Sequence, residues 1–444
     1  MSKVFLGVDI GTTSLSFTAV SMHARRVMRS VTLPNDSALP ASQPGFHEQD
    51  PERIARIVID AVRSLLAQYP DAVSIGVTGQ MHGVLLLSAQ GLAVSPLYTW
   101  QDARADETCL AEIAEKSGYT LHAGYGCATL YANAQRGLLV PGAHTFCTIM
   151  DYVVMRLTGR TAPLMHVSNA ASLGLFSMNS GDFDRVICKS LLPGLDAPQV
   201  TMHSAVAGMF EGIPVAVAIG DNQASFFGSV RDEAHGMLAN YGTGSQLSIV
   251  CAEPVPIAGG EIRPYLAGKY LLCFSALCGG RAYAILERFF SRYMTASCGD
   301  DHPQYETMNA LAARALQQGA GGVKARTTFC GTRDNPALRG SITQLTDENF
   351  TPENLILAVL QGMADELAAH FSHERFPHIT QLTASGNAVM RNPVLQRLLA
   401  DTFSIPVILS AQTEEAALGA ALHGGVCSSA ITYEQAKSYL QPKG

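Results

Sequence analysis

The chain contains two copies of a strand-turn pattern, and this internal duplication constrains its fold more than any other feature. One apolar run ends at Gly7-Val8-Asp9 and enters the turn Gly11-Thr12-Thr13-Ser14; another, Leu238-Ala239-Asn240-Tyr241, enters Gly242-Thr243-Gly244-Ser245. Glycine lets the backbone approach a ligand closely, and successive N–H groups with Thr or Ser hydroxyls can surround a phosphate. One such turn is most simply a tight hairpin, whereas two in order predict a triphosphate held from both sides.

Two further pairs of segments recur in the same order. Gly76-Val77-Thr78-Gly79-Gln80 corresponds to Thr383-Ala384-Ser385-Gly386-Asn387. Val215–Ile219, followed by Gly220-Asp221-Asn222, corresponds to Pro406–Leu409, followed later by Glu414-Glu415. Three ordered features indicate two related halves rather than one continuous domain.

The length and the alternation of patterns support the same division. The chain has 444 residues, more than the roughly 250–300 at which a single core stops growing. A small, polar stretch at Gly228–Glu233 places the boundary, which predicts domains over 1–230 and 231–444.

Alternating helical and strand patterns indicate an α/β protein with helices packed on sheets. The predicted strands are Val4–Val8, Val73–Val77, Val84–Leu87, Val215–Ile219, Leu271–Phe274, Leu382–Ala384 and Pro406–Leu409. The predicted helices are Glu52–Gln68, Ala105–Lys116, Asn222–Ser229, Arg281–Tyr293, Gln304–Gln318, Pro352–His373 and Asn392–Phe403. Asp50 and Thr351, each before a proline, are the expected N-caps of two of these helices.

Composition excludes several classes of function. The formal net charge is −7 and no basic run exists, so we expect no nucleic-acid partner. No window approaches the roughly 18 uninterrupted apolar residues of a spanning helix, so we expect no membrane partner either. The N-terminus passes directly into a strand-like segment, which favours a cytoplasmic location. Ten cysteines without a C-x-x-C pair predict reduced, mostly buried thiols.

Two acids follow predicted strands and are candidates for chemistry. Asp9 ends the first strand just before its turn, where a carboxylate could bind Mg²⁺ or could bond its own turn. Asp221 lies at the carboxyl end of an apolar strand, the usual edge for α/β sites, and could be a general base. An N-cap aspartate is the competing interpretation of Asp221. No G-x-x-x-x-G-K-[ST] sequence occurs, which excludes a P-loop mechanism.

Two polar stretches suit a sugar. Gln80-Met81-His82-Gly83 follows a strand, and Trp100-Gln101-Asp102-Ala103-Arg104 contains the only tryptophan of the chain. Amide, carboxylate and guanidinium groups read sugar hydroxyls, and an aromatic face suits the C–H side of the sugar. The alternatives are a structural His82 and an ordinary surface pair of Asp102 with Arg104.

Together these segments resemble the FGGY family of carbohydrate kinases over essentially the whole chain and in the family's order. The resemblance implies two actin/hexokinase-like domains, each built on a ribonuclease-H-like sheet, flanking a catalytic cleft. It also implies ATP and Mg²⁺ as cofactors, with Asp221 as catalytic base. The matching stretches are Asp9–Ser14, Gly79–Gly83, Trp100–Arg104, Gly220–Ala224, Gly242–Ser245, Asn335–Gly340, Ser385–Ala388 and Arg391-Asn392.

The resemblance also assigns expected roles to individual residues. Asp9 would bind the metal, and a small-molecule sugar would be the partner. The residues expected to bind the nucleotide are Gly11, Thr12, Thr13, Ser14, Gly242, Thr243, Gly244, Gly386, Asn387 and Asn392. Those expected to bind the sugar are Gln80, Met81, His82, Trp100, Asp102, Arg104, Asp151 and Asp221.

Within the family the closest likeness is to members that phosphorylate sedoheptulose, a long ketose. Gly126–Thr129, Thr99–Asp102, Met150–Val154 and Ser168–Ser172 carry it. Small residues at Gly124 and Gly126–Ala128 predict space for extra carbons. Xylulose or another sugar or polyol is the alternative substrate. An actin-type ATPase should lack the sugar-reading set, and a non-catalytic sugar sensor is disfavoured because Asp221 is present. A homodimer is left open.

Overall fold

In a computed structural model of the protein, the residues described are 3–318, 321–332, 335, 337–410 and 414–440. Pro336, which belongs to the matching stretch 335–340, lies outside these residues. Within the described residues the chain forms two compact units. Unit 1 contains residues up to Gly228 together with Arg263–Tyr270 and Glu414–Leu440, and unit 2 contains Ser229–Ile262 and Leu271 onward to position 410. The domain bounds 1–230 and 231–444 stay a prediction made from the sequence.

The described residues form strands and helices in alternation. The strands are β1 Val4–Ile10, β2 Ser14–Ser21, β3 Arg26–Pro34, β4 Glu48–Gln49, β5 Ala72–Gly79, β6 Leu85–Leu87, β7 Leu97–Tyr98, β8 Thr145–Cys147, β9 Leu164–His166, β10 Phe176–Ser177, β11 Asp182–Phe183, β12 Gln199–Thr201, β13 Val206–Phe210, β14 Ile213–Ala216, β15 Ile219–Gly220, β16 Gly236–Tyr241, β17 Ser245–Cys251, β18 Glu261–Pro264, β19 Tyr270–Ala276, β20 Lys324–Arg326, β21 Ser341–Thr343, β22 Gln381–Ser385 and β23 Val407–Leu409. The helices are α1 Pro51–Gln68, α2 Glu107–Ser117, α3 Gly126–Gln135, α4 Ile149–Thr158, α5 Val167–Ser172, α6 Arg185–Leu191, α7 Asp221–Ser229, α8 Gly280–Cys298, α9 Tyr305–Gln318, α10 Pro352–Ala368, α11 Asn387–Met390, α12 Pro393–Phe403, α13 Glu415–Cys427 and α14 Tyr433–Lys437.

The main sheet of unit 1 has the strand order β13-β14-β5-β1-β2-β3, with β15 also paired to β5. Strand β5 is parallel to β1, β14 and β15, whereas β1, β2 and β3 form an antiparallel meander. The strands that lie on both sides of β5 therefore end at the same edge as β5. That edge is where the candidate site residues of this unit follow their strands.

Helix α13 packs directly on this sheet, because two strand glycines leave its backbone room. A Cβ atom at Gly7 would overlap the carbonyl oxygen of Ala417, and one at Gly76 would overlap that of Ala420. The helix is rich in alanine and glycine, and its residues from Ala416 to Gly425 are buried. Small residues on both surfaces thus allow a close helix–sheet contact, which brings the start of α13 to the edge of the sheet.

Unit 2 repeats the central part of this arrangement. Its sheet includes β19, β17, β16, β22 and β23 in that order. Strand β16 is antiparallel to β17 and parallel to β22, as β1 is antiparallel to β2 and parallel to β5. The first two of the duplications read from the sequence are therefore confirmed as equivalent strand pairs.

Most predicted elements are confirmed within a few residues. Asp50 accepts hydrogen bonds from the amides of Glu52 and Arg53, and Thr351 accepts one from Asn354, so both predicted N-caps are confirmed. The continuous strand predicted over Val215–Ile219 is wrong, because β14 ends at Ala216 and β15 begins at Ile219. The amide of Val217 bonds the carbonyl of Ala205 instead of the sheet, and the Ala218 carbonyl accepts from Asn169.

Two further sequence predictions can be compared with the described residues. All ten cysteines are free thiols, and six of them are buried, as the composition predicts. None of the helices in the described part of the chain combines the length and apolar character that crossing a bilayer requires.

Candidate functional site

Asp9 lies near the end of β1 and Asp221 follows β15, on opposite sides of β5 and at the same edge of the unit 1 sheet. Asp9 is opposite Thr78 in the β1–β5 pair, and Ile219 is opposite the same Thr78 in the β15–β5 pair. Gly79 ends β5 between them, and a side chain there would overlap the backbone of Ile10. Because carboxyl ends of neighbouring parallel strands form the usual site of α/β proteins, this edge is the candidate site.

Asp9 lies among other carboxylates. Burial, together with the negative charges of Asp221, Glu414 and Glu415, raises the pKa of Asp9 to about 7. Glu414 and Glu415 come from the segment that begins α13, and the Glu414 carboxylate also accepts a hydrogen bond from Thr32. Converging carboxylates repel one another unless a cation or protons compensate them. The set therefore suits a divalent cation that takes few protein carboxylates and completes its shell with phosphate oxygens.

Asp221 begins helix α7. Its Oδ1 atom accepts a 2.7 Å hydrogen bond from the amide of Asn222, the second residue of this helix. The side chain is half-buried. Burial raises its pKa to about 6, while the nearby Arg263 guanidinium acts in the opposite direction. A carboxylate with this pKa is mostly ionised at pH 7 and can accept a proton.

A buried polar network holds the segment that carries Asp221. Ser168 Oγ accepts a 3.2 Å bond from the amide of Gly220, and Asn169 Nδ2 donates to the carbonyl of Ala218 at 3.1 Å. Asn169 also contacts Asp151, whose other carboxylate oxygen accepts from Thr148. Burial raises the pKa of Asp151 to about 7. Asp151, predicted to bind sugar, is therefore buried behind the strand end.

The first Gly-Thr turn is joined to the predicted sugar residues by a ring of hydrogen bonds. The Thr12 hydroxyl donates to Gln80 Oε1 at 3.2 Å, and Gln80 Nε2 donates to Gln49 Oε1 at 2.8 Å. Gln49 Nε2 closes the ring by donating to the Thr12 carbonyl at 2.8 Å. Trp100 Nε1 donates to the Thr12 hydroxyl at 2.9 Å, and 48 % of the Trp100 residue surface is exposed. Thr12, Gln80 and Trp100 are thus brought together.

The remainder of this turn is held by Asn35. Asn35 Nδ2 donates to the carbonyl of Gly11 at 2.9 Å, and its backbone amide donates to the carbonyl of Thr13. These two hydrogen bonds to carbonyl groups fix the backbone of the turn. Ser14 begins β2 directly after the turn.

Met81 lies beside the Asp221 segment, and His82 contacts Ser172 and Tyr125. A side chain at Gly220 would overlap Met81 Sδ, so Met81 packs against the residue before Asp221. His82 has a positive φ of 70°, and its ring stacks on Tyr125 at 4.5 Å. His82 Nδ1 lies 2.8 Å from the carbonyl of Ser172. A carbonyl only accepts, so Nδ1 carries a proton that it donates to Ser172.

Asp102 and Arg104 form a buried ion pair, so the alternative of an ordinary surface pair is wrong. They are 1 % and 4 % exposed. The Arg104 guanidinium donates to Asp102, to Glu48 at 2.6 Å and to Asn133 at 3.0 Å. It also lies between the rings of Phe46 and Tyr98, 4.0 and 4.3 Å from their centroids. The pair fixes the loop that carries Trp100, while its predicted contact with sugar stays a prediction.

In unit 2, the second Gly-Thr turn bonds the first residues of α8. The amide of Gly280 donates to the carbonyl of Gly242 at 2.9 Å, and that of Arg281 donates to the carbonyl of Thr243 at 3.0 Å. Gly279 leaves no room for a side chain against Gly244. The exposed Gly242 and Thr243 are thus positioned by a helix start.

The predicted adenosine residues lie at the end of β22 in the same unit. Gly386 has a φ of 91°, and a side chain there would overlap the backbone of Tyr241, which explains the glycine. Asn387 begins the short helix α11. Asn392 is buried, caps α12 through the amide of Leu395 and donates to Asn309. A nucleotide contact by Asn392 is therefore a prediction that competes with a capping role.

Two groups were missed by reasoning from the sequence. Gln49 bridges Gln80 and Thr12, but its neighbourhood in the chain shows only a helix start at Asp50. Glu414 and Glu415 were recognised as part of a repeat without a role. Their position near Asp9 depends on the packing of α13 on the sheet, for which the alanine-rich sequence of α13 was the available signal.

The two α/β units and the acidic strand edge beside a Gly-Thr turn define a carbohydrate kinase of the actin/hexokinase type. Comparison with known families agrees with this class. The chain belongs to the FGGY family of carbohydrate kinases: the N-terminal domain of the family matches residues 4–228 and the C-terminal domain matches residues 237–428. The predicted family and fold class are confirmed. The protein is thus a phosphotransferase with an alcohol group as acceptor, and ATP binding follows from the family.

Individual relatives cover nearly the whole chain. A human sedoheptulokinase is 28% identical over 94% of this chain and 96% of its own length. Among solved structures, a xylulose kinase from Rhodospirillum rubrum superimposes with a TM-score of 0.84 at 21% identity, covering 99% of this chain and 93% of its own. A Plasmodium falciparum glycerol kinase with ADP gives a TM-score of 0.82 at 18% identity, covering 100% and 93%. These two structures support the fold alone.

Proposed function

We propose that this protein transfers the γ-phosphate of ATP to the terminal primary hydroxyl of sedoheptulose, with Asp221 as the base. The observation that carries the choice of sugar is the likeness to human sedoheptulokinase over 94% of the chain. Xylulose and glycerol kinases share the fold, so the choice among sugars and polyols is the part that experiment must decide. A homodimer and a cytoplasmic location stay predictions.

The proposed role of Asp221 rests on its position and its pKa. It follows β15 at the strand edge, and a pKa of about 6 leaves it mostly ionised at pH 7. A carboxylate in this state accepts the proton of the attacking sugar hydroxyl as the oxygen bonds the γ-phosphorus. Ser168 and Asn169 hold the backbone just before Asp221, so the carboxylate is oriented before the substrate binds.

Asp9 is proposed to hold Mg²⁺ at the same edge. Burial raises its pKa, and the carboxylates of Asp221, Glu414 and Glu415 contribute to the same shift, as expected where several acids converge at a site suited to a cation. Bound Mg²⁺ would supply positive charge to the phosphate oxygens of ATP. The amides of the turns at Gly11–Ser14 and Gly242–Gly244 are proposed to bind phosphate oxygens.

The sugar is proposed to lie against Trp100 and near Gln80 and His82. The half-exposed ring of Trp100 offers an apolar face, while its N–H is already used by Thr12. Gln80 shares the same ring of hydrogen bonds, so sugar contacts there are coupled to the phosphate turn.

The small residues at Gly124 and Gly126–Ala128 were expected to leave space for a long sugar, but their surroundings do not support this expectation. A side chain at Gly126 would overlap Val84 and Leu173, and one at Gly124 would overlap the Trp100 backbone. Cys127 and Ala128 are fully buried. These small residues are explained by core packing rather than by empty space. The proposal of sedoheptulose therefore depends on the relatives.

A comparison of substrates tests the proposal. Initial rates with sedoheptulose, D-xylulose, D-ribulose and glycerol are measured under one ATP and Mg²⁺ condition. We expect sedoheptulose to have the highest kcat/KM, because the likeness to sedoheptulokinase carries the proposal. A shorter sugar that leaves polar groups of a matched site unpaired would lose about 1–3 kcal/mol for each lost partner. A tenfold preference for D-xylulose would reject sedoheptulose and keep the kinase. Sugar binding without turnover of any compound would favour the sensor.

A further inference from the structure

Two cysteines of unit 2 lie in contact although they are 52 positions apart. The Sγ atoms of Cys278 and Cys330 are 3.9 Å from each other, and the Cys330 thiol donates toward Cys278. Cys278 is fully buried between β19 and α8, whereas Cys330 is half-buried in the segment after β20. The fold therefore places a buried thiol against one that solvent can reach.

The surroundings of the two thiols differ in a way that separates their reactivities. Arg281 Nη1, on an exposed side chain, donates to Cys330 Sγ at 3.5 Å. Arg281 thus places a positive charge beside the sulfur that solvent can reach, and the thiolate is the form of a cysteine that reacts with peroxides. Cys278 lies deeper, with Glu366 as a further negative neighbour, and burial raises the pKa of Cys278 to about 12. Cys330 is thus the thiol that peroxide reaches first, and Cys278 is the thiol placed to form a disulfide with it.

We propose that Cys330 and Cys278 form a peroxide-sensitive modification site in which Cys330 is oxidised first and Cys278 resolves it to a disulfide. The Cys330 thiolate attacks hydrogen peroxide; an S–O bond forms, the O–O bond breaks, and the leaving hydroxide becomes water by taking a proton. The Cys278 thiol then loses its proton and attacks the Cys330 sulfur. The S–S bond forms, the S–O bond breaks, and a second water leaves. Both thiols are oxidised and one peroxide is reduced.

The site adjoins the second Gly-Thr turn through the backbone. Cys278 is followed by Gly279, which is packed against Gly244, and by Gly280, whose amide bonds the Gly242 carbonyl. A disulfide requires the sulfurs to approach from 3.9 Å to about 2.05 Å. Since tightly packed interiors transmit such shifts, displacement of Cys278 also displaces the turn. This consequence rests on the proposed role of the turn in binding ATP.

The covalent part is tested without any substrate. The protein is treated with hydrogen peroxide, alkylated and digested with trypsin, which cleaves after Lys269, Arg281 and Arg326 and so separates the two cysteines. We expect a joined peptide that fragmentation assigns to Cys278 rather than its neighbour Cys273, and that dithiothreitol splits. Cys330→Ser should prevent the link, and Cys298→Ser, at the one exposed cysteine, should leave it unchanged. Oxidation of Cys298 without a Cys278–Cys330 link would overturn the proposal.

The effect on the turn is tested by ATP binding. Calorimetry of the oxidised protein should show Kd for ATP raised by roughly tenfold, the size expected for one impaired hydrogen bond to a charged group. Peroxide-treated Cys330→Ser should keep the Kd of the untreated protein. A complete disulfide with an unchanged Kd would overturn the connection to the turn. If the untreated protein phosphorylated no sugar, only the proposed function would be rejected. The disulfide proposal would stand or fall with the joined peptide, which is detected without any substrate.

Discussion

The two units use the same strand-turn pattern with different chemistry at corresponding positions. Asp9 is opposite Thr78 two residues before the first turn, and Asn240 is opposite Ser385 two residues before the second. The first edge therefore carries an acid where the second carries an amide. Asn240 Nδ2 donates to Ser385 Oγ at 2.9 Å, whereas Asp9 lies among the carboxylates of other elements. The two units therefore share the same strand pairing, but the residues at corresponding positions differ in charge.

The turns also differ in what holds them. Side chains of Asn35 and Gln49 bond the carbonyls of the first turn, and Thr12 connects it to Gln80 and Trp100. Backbone amides at the start of α8 bond the second turn. The first turn is consequently coupled to the predicted sugar residues of its unit, and the second to a helix and its thiol pair. Each coupling can be broken separately.

The largest expected effect is at the acid of the first edge. Asp221→Asn keeps the size and polarity of the side chain but removes the proton acceptor, so kcat should fall by roughly 10²–10⁴. ATP binding, measured by calorimetry, should survive. The same change at the exposed Asp301 is the control and should leave kcat unchanged. A near-normal kcat with the best sugar would show that the acidic edge does not supply the base.

Glycine substitution distinguishes the two turns next. A Cβ at Gly242 would lie 3.6 Å from the nearest atom, Asn240 Oδ1, whereas one at Gly11 would lie 2.8 Å from the Ser14 carbonyl oxygen. Gly242→Val should fold normally and raise Kd for ATP by roughly tenfold or more, because the side chain keeps the backbone from the phosphates. Gly11→Val should lower the melting temperature as well. If Gly242→Val lost ATP and sugar affinity equally, the second turn would not act on the phosphates specifically.

Threonine substitution tests the coupling of the first turn. Thr12→Val preserves shape but removes the hydroxyl that bonds Gln80 and Trp100. If each binding step loses the equivalent of one such bond, about 0.5–1.5 kcal/mol, KM for both sugar and ATP should rise by roughly two- to twelvefold. Thr243→Val is the matched change in the second turn and should affect ATP only. Steady-state kinetics of both variants give KM for sugar and for ATP. If the two variants changed both KM values alike, the first turn would not be coupled to the sugar in the way proposed.

An effect on stability rather than on activity is expected at the buried acid behind the first edge. Since burial raises the pKa of Asp151 to about 7, the native state retains a proton that the unfolded chain releases near pH 4. The free energy of unfolding contributed by this group is full below about pH 4 and decreases as pH rises to about 7. Asp151→Asn should therefore gain stability relative to the parent protein as pH rises from 5 to 8. Urea denaturation at both pH values measures this gain, and a difference independent of pH would exclude a raised pKa.

Local patterns predicted much of the fold. The strands β1, β5, β19 and β22 and the long helices were recognised because periodicity, proline and capping residues act over a few neighbouring positions. The break between β14 and β15 was missed, because it depends on Asn169, 49 positions from the carbonyl it bonds. The exposure of Asp102 and Arg104 could not be predicted either, since burial was decided by Phe46, Tyr98 and Asn133.

The sequence by itself determined the duplicated strand-turn units, the family and the placement of Asp9 and Asp221 at strand ends, because these features are written in short, ordered segments. Only the tertiary structure decided which side chains meet. It brought Glu414 toward Asp9 and Thr32, closed the ring of Thr12, Gln80 and Gln49, and placed Cys330 against Cys278. Such contacts join distant segments whose approach depends on how helices and sheets pack, and no local periodicity records that packing.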